Sequence, residues 1–257
     1  LAAVIAIVMA LFSYYAGDAV ALRLAGAKPA DAQHDAYVVR MVENLAITAG
    51  LPMPKVYLID DPAINAFATG RDPAHASVAV TSGAIEGLEN EELEGVLAHE
   101  LSHVANYDIR LMTVVIVLVG LASLLSDWFV RMSWYGRGSR GSSREGRGGG
   151  AQGALALIGL VFLILAPIIA KLIQLAVSRR REFLADASGS LLTRYPEGLA
   201  RALEKIGATS AQPMRHAHEA TAHLYISSPF GAGKRLSRMF STHPPLAERI
   251  AALRQMA

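Results

Sequence analysis

The 257-residue sequence contains no cysteine. A disulfide framework and a thiolate metal site are therefore excluded, and any bound metal must be held by His, Asp or Glu side chains. Charge is also scarce, because only 18% of the residues are charged and the formal net charge is +2. Since this charge is small and the arginines occur in short runs, the sequence offers no basis for nucleic-acid binding.

Apolar residues are abundant by contrast. They make up 53% of the chain, and the mean hydropathy is +0.33, values that favour a membrane protein over a soluble enzyme. They are concentrated in three runs, residues 1–12, 111–125 and 154–173. From these runs we predict transmembrane helices over residues 1–20, 111–130 and 154–175.

The first apolar run starts at Leu1 without an initiator methionine. We therefore expect the first transmembrane helix to be truncated at its N-terminus. A cleaved signal peptide is the alternative, but no basic region precedes the run.

The remaining segments are polar or amphipathic. Residues 131–153 are rich in Gly, Ser and Arg, which predicts a flexible loop. Residues 28–110 and 178–257 are amphipathic, and we predict that they are the two halves of one α+β, mainly helical domain with a small sheet. Apolar spacing predicts helices over 36–49, 91–107, 191–206 and 246–253 and strands over 55–60 and 76–81.

One predicted helix contains the motif His99-Glu100-Leu101-Ser102-His103. Positions four apart on a helix are separated by about 40° around its axis, so both histidines project from one face and can hold one metal ion. Glu100 lies beside the first histidine, where a carboxylate can act as a general base without being a ligand. The alternative is that this short motif occurs by chance.

A catalytic zinc ion takes three protein ligands and keeps one open position, so the motif predicts a third ligand elsewhere. Glu182 is the best candidate, because Glu182 and Asp186 are four apart on a predicted helix, and Asp186 suits hydrogen bonding to a ligating histidine. The alternative is that both acids pair with the arginines at 179–181 at the membrane surface. Two intervening spans return the chain to the side on which it started, which supports a shared site.

The other histidines have spacings that do not suit a metal site. His216, His218 and His223 do not share a helix face, and we predict that their segment is a polar surface stretch. We predict the same surface position for His34 and His75.

Together these residues resemble the HtpX-like membrane metallopeptidases, relatives of the CAAX prenyl endopeptidases. The resemblance covers nearly the whole chain. It is carried by Asn65-Ala66-Phe67-Ala68-Thr69-Gly70, Ala79-Val80-Thr81-Ser82-Gly83, the His99–His103 motif with Asn106 and Asp108, residues 179–187, Ala222-His223-Leu224-Tyr225-Ile226, Ser241-Thr242-His243-Pro244-Pro245 and Glu248-Arg249-Ile250.

The resemblance implies a gluzincin-type core joined to transmembrane helices. It implies one zinc ion held by His99, His103 and Glu182, with Glu100 as the base. It also implies that the segment of Asn65, Ala66, Phe67 and Ala68 lies on an edge strand that pairs with the substrate backbone, although Asn65 also suits a turn.

For the C-terminal region, the resemblance implies that His243 lies near the site. This histidine would donate a hydrogen bond to the oxyanion of the intermediate, and Arg249 would pair with a nearby acid. Packing of the C-terminal helix explains both residues equally well.

The resemblance further implies polypeptide substrates, membrane-protein quality control, and a multi-pass protein of the bacterial inner membrane whose site faces the cytoplasm. Arginines in the 131–153 loop oppose that orientation, because positive charge favours the cytoplasmic side. An incompletely spanning hairpin is the alternative for the two internal apolar runs. The rival functional class is a metal-binding scaffold, in which four protein ligands would close the site.

Overall fold

The computed structural model describes residues 14–115, 179–209, 213–218, 220–230 and 244–256. The predicted transmembrane helices and the loop at 131–153 lie wholly or largely outside these residues, and so does His243. Within the described ranges, no helix is both long and apolar enough to cross a membrane.

A four-stranded mixed sheet forms one layer of the fold. Its strands are β1 (Lys28–Pro29), β2 (Lys55–Ile59), β3 (Ala66–Gly70) and β4 (Ala76–Thr81), in the order β1-β2-β4-β3. β2 and β4 are parallel, whereas β1 pairs with β2 and β3 pairs with β4 in the antiparallel sense. The strands predicted over 55–60 and 76–81 are confirmed, and β3 lies at one edge of the sheet.

A tight connection sets the register between β3 and β4. Gly70 has φ of 144°, and a Cβ atom there would clash with the carbonyl oxygen of His75, so a side chain is excluded. Asp72 then caps the 3-10 turn Pro73–His75, where its side chain accepts a hydrogen bond from the His75 N–H.

The helical layer comprises α1 (Ala36–Thr48), α2 (Ser82–Gly87), α3 (Asn90–Ala105), α4 (Arg179–Thr193), α5 (Pro196–Thr209) and α6 (Leu246–Arg254). Residues 14–24 and 108–115 are also helical. The predicted mainly helical α+β class with a small sheet is confirmed.

The helical pattern predicted over 191–206 is confirmed except at residues 194 and 195, where two helices meet. α4 ends at Thr193, Arg194 has φ of 53°, and Pro196 begins α5. Proline has no N–H to donate and suits the first turn of a helix, so the chain starts a new helix at this point.

α3 is the central helix of the core and packs against α4, α5 and the sheet. Leu93, Leu97 and Leu101 on α3 are completely buried. α4 approaches α3 very closely at Gly189, where an added Cβ atom would lie 2.9 Å from the backbone nitrogen of His99. This close crossing brings the side chains of α4 against the motif on α3.

Candidate active site

Three side chains from two helices converge in the core. The ligand atoms of His99 and His103 on α3 and of Glu182 on α4 all lie within 4.8 Å of one another. The Nε2 atoms of the histidines are 3.2 Å apart, and they lie 3.8 Å and 3.6 Å from the carboxylate oxygens of Glu182. All three side chains are buried.

The second ring nitrogen of each histidine contacts a carboxylate. His99 Nδ1 lies 3.0 Å from Asp186 Oδ1, and His103 Nδ1 lies 3.1 Å from Asp108 Oδ2. When each Nδ1–H donates to its carboxylate, the lone pairs of both Nε2 atoms point towards Glu182.

This arrangement fits a zinc ion. Two ligands of a tetrahedral zinc with bonds of about 2.0–2.1 Å are about 3.3 Å apart, close to the three separations observed. Two imidazoles and one carboxylate also form the ligand set of many catalytic zinc sites. The four acids in or beside the cluster are Glu100, Asp108, Glu182 and Asp186, and all four are buried.

Two arginines partly balance these acids. Arg249 on α6 is completely buried and holds Asp186 through two hydrogen bonds, Nε–Oδ2 at 2.8 Å and Nη2–Oδ1 at 2.6 Å. Its Nη1 lies 3.7 Å from Glu182. Arg181 Nη1 lies 3.1 Å from Asp108. The two guanidinium groups thus lie against three of these four carboxylates, namely Asp108, Glu182 and Asp186.

Glu100 faces the edge strand. Its Oε2 accepts a hydrogen bond of 2.8 Å from the backbone N–H of Ala68 on β3. Burial disfavours the charged carboxylate and raises the pKa of Glu100 to about 8. A carboxyl group with this pKa can accept and return a proton near neutral pH.

The two histidines have opposite electrostatic environments. Burial lowers the pKa of His99 to about 4, and the charge of Arg249 contributes to this lowering. Burial also lowers the pKa of His103, but the hydrogen bond to Asp108 and the charge of Glu182 outweigh it and raise the value to about 9. The burial cost for Asp186 is outweighed by the charge of Arg249, which holds the pKa of that carboxyl below its usual value.

The outer edge of β3 already has protein partners. The carbonyl of Ala66 accepts from the N–H of Ile226 at 3.1 Å. The side chain of Asn65 donates to the carbonyl of Ser227 at 3.1 Å. Phe67 is completely buried and packs edge-on against Tyr225 with ring centres 5.0 Å apart. Asn65 and Phe67 thus direct their side chains into the protein, away from solvent.

The remaining histidines are divided between surface and interior. His34, His75, His216 and His218 are exposed, as predicted. The surface position predicted for His223 is wrong: this residue is 6% exposed, and its Nε2 lies 3.1 Å from the carbonyl oxygen of Met112. Apolar Leu224, Tyr225 and Ile226 follow directly and draw the segment into the core.

The site contacts not anticipated from sequence include the pairing of Asp108 with His103 and with Arg181 and the bond from Ala68 to Glu100. Asp108 was identified only as part of a family resemblance. The rule that a ligating histidine donates to a carboxylate would have indicated it, because Asp108 is a nearby acid just after the motif. No local pattern marks the Ala68 contact.

The fold and this cluster define a metallopeptidase: a helix with the paired histidines and an adjacent glutamate, a third candidate ligand on a later helix, and a sheet edge beside them. The model of Peptidase family M48 matches residues 32–257. The chain therefore belongs to peptidase family M48.

Relatives named "Protease HtpX homolog" match most of the chain, which confirms the HtpX-like resemblance. The relative from Caldanaerobacter subterraneus subsp. tengcongensis is 46% identical over 95% of this chain and 80% of its own length. The relative from Tropheryma whipplei strain Twist is 47% identical, with 96% and 81% covered. The relative from Lactiplantibacillus plantarum is 52% identical, with 88% and 75% covered.

Among solved structures, the crystal structure of S. mikatae Ste24p superimposes with a TM-score of 0.55. The match is 21% identical and covers 98% of this chain, which spans 57% of the Ste24p chain. At this identity the likeness concerns the fold alone.

Proposed function

We propose that the chain is a zinc-dependent endopeptidase that cleaves polypeptides at a membrane. The observation that carries the proposal is the convergence of His99, His103 and Glu182 within 4.8 Å, next to a glutamate that contacts a sheet edge. In the proposal these three side chains hold one zinc ion and Glu100 is the general base.

When bound, zinc supplies a Lewis acid that activates a water molecule and polarises the scissile carbonyl. Glu100 takes a proton from the attacking water and later returns it to the leaving amine. Asp186 keeps the imidazole of His99 in the tautomer whose Nε2 lone pair is free.

Substrate binding is proposed to use the backbone of β3. A peptide added to this edge gains main-chain hydrogen bonds that are indifferent to side-chain identity. The Ala68 N–H, which donates to Glu100 in the free protein, would be transferred to a substrate carbonyl, and this exchange would free Glu100 to act as a base.

The side chains near this edge would have supporting roles. Asn65 would hold the backbone at Ser227. Ala66, whose carbonyl pairs with Ile226, and Phe67, which packs against Tyr225, would keep the binding strand in place. Arg249 would keep Asp186 and Glu182 in place from the rear of the site. His243 is proposed as a hydrogen-bond donor to the oxyanion.

The proposed location is a bacterial inner membrane, with several spans and the site facing the cytoplasm. The long apolar runs support this location, and so do the bacterial relatives named as proteases. Membrane proteins that have lost their native packing are the proposed substrates, which makes the role one of quality control.

The decisive variant is Glu100→Gln in the full chain, purified in detergent with zinc. We expect it to retain about one zinc ion per chain and to lose casein cleavage, because the amide cannot accept a proton. A matched control is Glu92→Gln, a buried acid on the same helix that pairs with Lys205; this variant should cleave casein. Cleavage by Glu100→Gln at the wild-type rate would refute the assignment of Glu100 as the base, whereas a zinc-loaded wild-type protein that cleaves no casein would favour a metal-binding scaffold.

Orientation can be tested directly because the chain has no cysteine. Gln33→Cys introduces a thiol on the exposed surface of the catalytic half, and Ser142→Cys introduces one in the predicted loop. In intact cells an impermeant maleimide should label only Ser142→Cys. Labelling of Gln33→Cys alone would place the site on the outside.

A further inference from the structure

Asp108 follows the motif helix after a sharp change of direction. α3 ends at Ala105, Tyr107 has φ of 59°, and a new helical stretch begins at Asp108. This left-handed residue turns the chain so that Asp108 points back at the site. Asp108 is 6% exposed, and both of its carboxylate oxygens have partners.

The two partners of Asp108 are different in kind. Oδ2 lies 3.1 Å from Nδ1 of His103, and Oδ1 lies 3.1 Å from Nη1 of Arg181. One oxygen thus contacts the candidate metal ligand, and the other is held by a guanidinium group on α4. With both oxygens engaged, the carboxylate cannot rotate without losing one contact.

We propose that Asp108 is the positioning residue for His103 and that Arg181 locks Asp108 in that position; the proposal rests on the metal site described above. By accepting the Nδ1–H, Asp108 selects the tautomer of His103 whose Nε2 lone pair faces the metal. It also prevents the imidazole from turning away.

The Asp108–Arg181 pair lies close in sequence to both ends of the segment 116–178. Asp108 begins the helical stretch that leads to residue 115, and Arg181 lies in the first turn of α4. Residues 116–178 join these two points. The Asp108–Arg181 contact therefore holds the two ends of the connecting segment together, next to the second metal-binding histidine.

The competing explanation is an ordinary ion pair without influence on the metal. Arg181 is 33% exposed, and partly exposed ion pairs contribute little to stability. The two explanations differ in one measurable quantity. Loss of the carboxylate charge and loss of its positioning role would both lower zinc affinity, but only a positioning role predicts that neutralising Arg181 also lowers it.

The test is Asp108→Asn in the full-length protein in detergent, with zinc affinity measured by competition against a chromophoric chelator. We expect the affinity to fall about 10–100-fold. The visible spectrum of the Co²⁺-substituted protein should also change, since the spectrum reports the geometry of the ligands.

The matched control is again Glu92→Gln. Glu92 is a buried carboxylate on α3 that lies 2.7 Å from Nζ of Lys205, a cation as exposed as Arg181. This variant removes a comparable charge away from the metal, so zinc affinity should stay within about twofold of wild type. Equal losses in both variants would overturn the proposal, because the effect would then be general destabilisation.

Arg181→Gln is a second, milder variant at a partly exposed position. We expect a smaller loss of zinc affinity in the same direction. Added to Asp108→Asn, it should cause no further loss, because the two residues act as a unit. Wild-type affinity in Asp108→Asn or in Arg181→Gln would refute this proposal alone, whereas a wild-type protein that binds no zinc would refute the metal site as well.

Discussion

The two histidines of the motif lie one turn apart on the same helix, yet their surroundings differ. His99 is backed by Asp186 and then by Arg249, and all three are completely or almost completely buried. His103 is backed by Asp108 and then by Arg181, which is partly exposed. We call the buried set His99, Asp186 and Arg249 the closed arm of the site. The set His103, Asp108 and Arg181, which ends in a partly exposed arginine, is the open arm.

The difference has an electrostatic consequence. Burial lowers the pKa of His99 to about 4. Burial also lowers the pKa of His103, but the hydrogen bond to Asp108 and the charge of Glu182 outweigh it and raise the pKa to about 9. In the metal-free protein at neutral pH, His99 is therefore neutral and His103 carries a proton. The two histidines of one motif thus have different protonation states before they bind the same metal ion.

We expect the largest loss of stability from Arg249→Met, which removes the guanidinium group of the closed arm. This change leaves Asp186 buried without its bidentate partner, and loss of one member of a buried ion pair costs about 3–5 kcal/mol. Chemical denaturation of the metal-free protein should show a loss of this size in the free energy of unfolding.

The control for this variant is Arg254→Gln on the same helix, where Arg254 pairs with Glu197 and Glu204 in exposed positions. A much smaller loss of stability is expected there, because solvent-exposed ion pairs contribute little. Equal losses in the free energy of unfolding would mean that the buried contacts of Arg249 contribute no more to stability than the ion pairs of Arg254.

A smaller effect is expected at the helix crossing behind His99. Gly189→Ala puts a methyl group 2.9 Å from the backbone nitrogen of His99, and such overpacking costs about 1–3 kcal/mol. Because α4 carries Glu182, its displacement should also weaken zinc binding, as measured by chelator competition.

Gly207→Ala is the matched substitution on α5, where, among the residues that the structure describes, the new methyl group would meet the side chain of Leu246 at 3.2 Å. Zinc affinity should be unchanged in that variant. An unchanged affinity in Gly189→Ala would show that the crossing is not what positions Glu182.

The last expected effect is a pH dependence that sharpens the comparison of the two histidines. His103 must release its proton to bind zinc, because its pKa in the metal-free protein lies near 9, whereas His99 has none to release at neutral pH. Zinc affinity should therefore rise about tenfold per pH unit from pH 6.5 to 8.5.

Measurement in the Glu100→Gln background removes the titration of Glu100. A slope near one in a plot of log zinc affinity against pH means that one proton is released, which supports the difference between the histidines. A slope near two would mean that His99 is also protonated, and a slope near zero would mean that neither is.

Much of the site was accessible from sequence because its signals are local. The spacing of His99 and His103 indicated a shared helix face, and the spacing of Glu182 and Asp186 indicated a second pair on a later helix. The structure brings these four residues together. Strands at 55–60 and 76–81 were likewise predicted from alternation and flanking Pro and Gly.

Other features depend on contacts between distant segments. Apolar periodicity continued through residues 191–206, but the left-handed Arg194 and Pro196 divide this stretch. His223 was expected at the surface from its polar neighbours, whereas the apolar residues after it bury the segment. Periodicity reports which face of an element is apolar and does not report what packs against it.

The sequence by itself determined the chemistry of the ligands, since it has histidines and carboxylates in helical spacing and no cysteine. The tertiary structure alone decided the charge state of each group and its orientation. A pKa depends on burial and on nearby charges. Here those charges come from helices α4 and α6 and from the stretch after α3, which lie far apart along the chain and meet only in the folded protein.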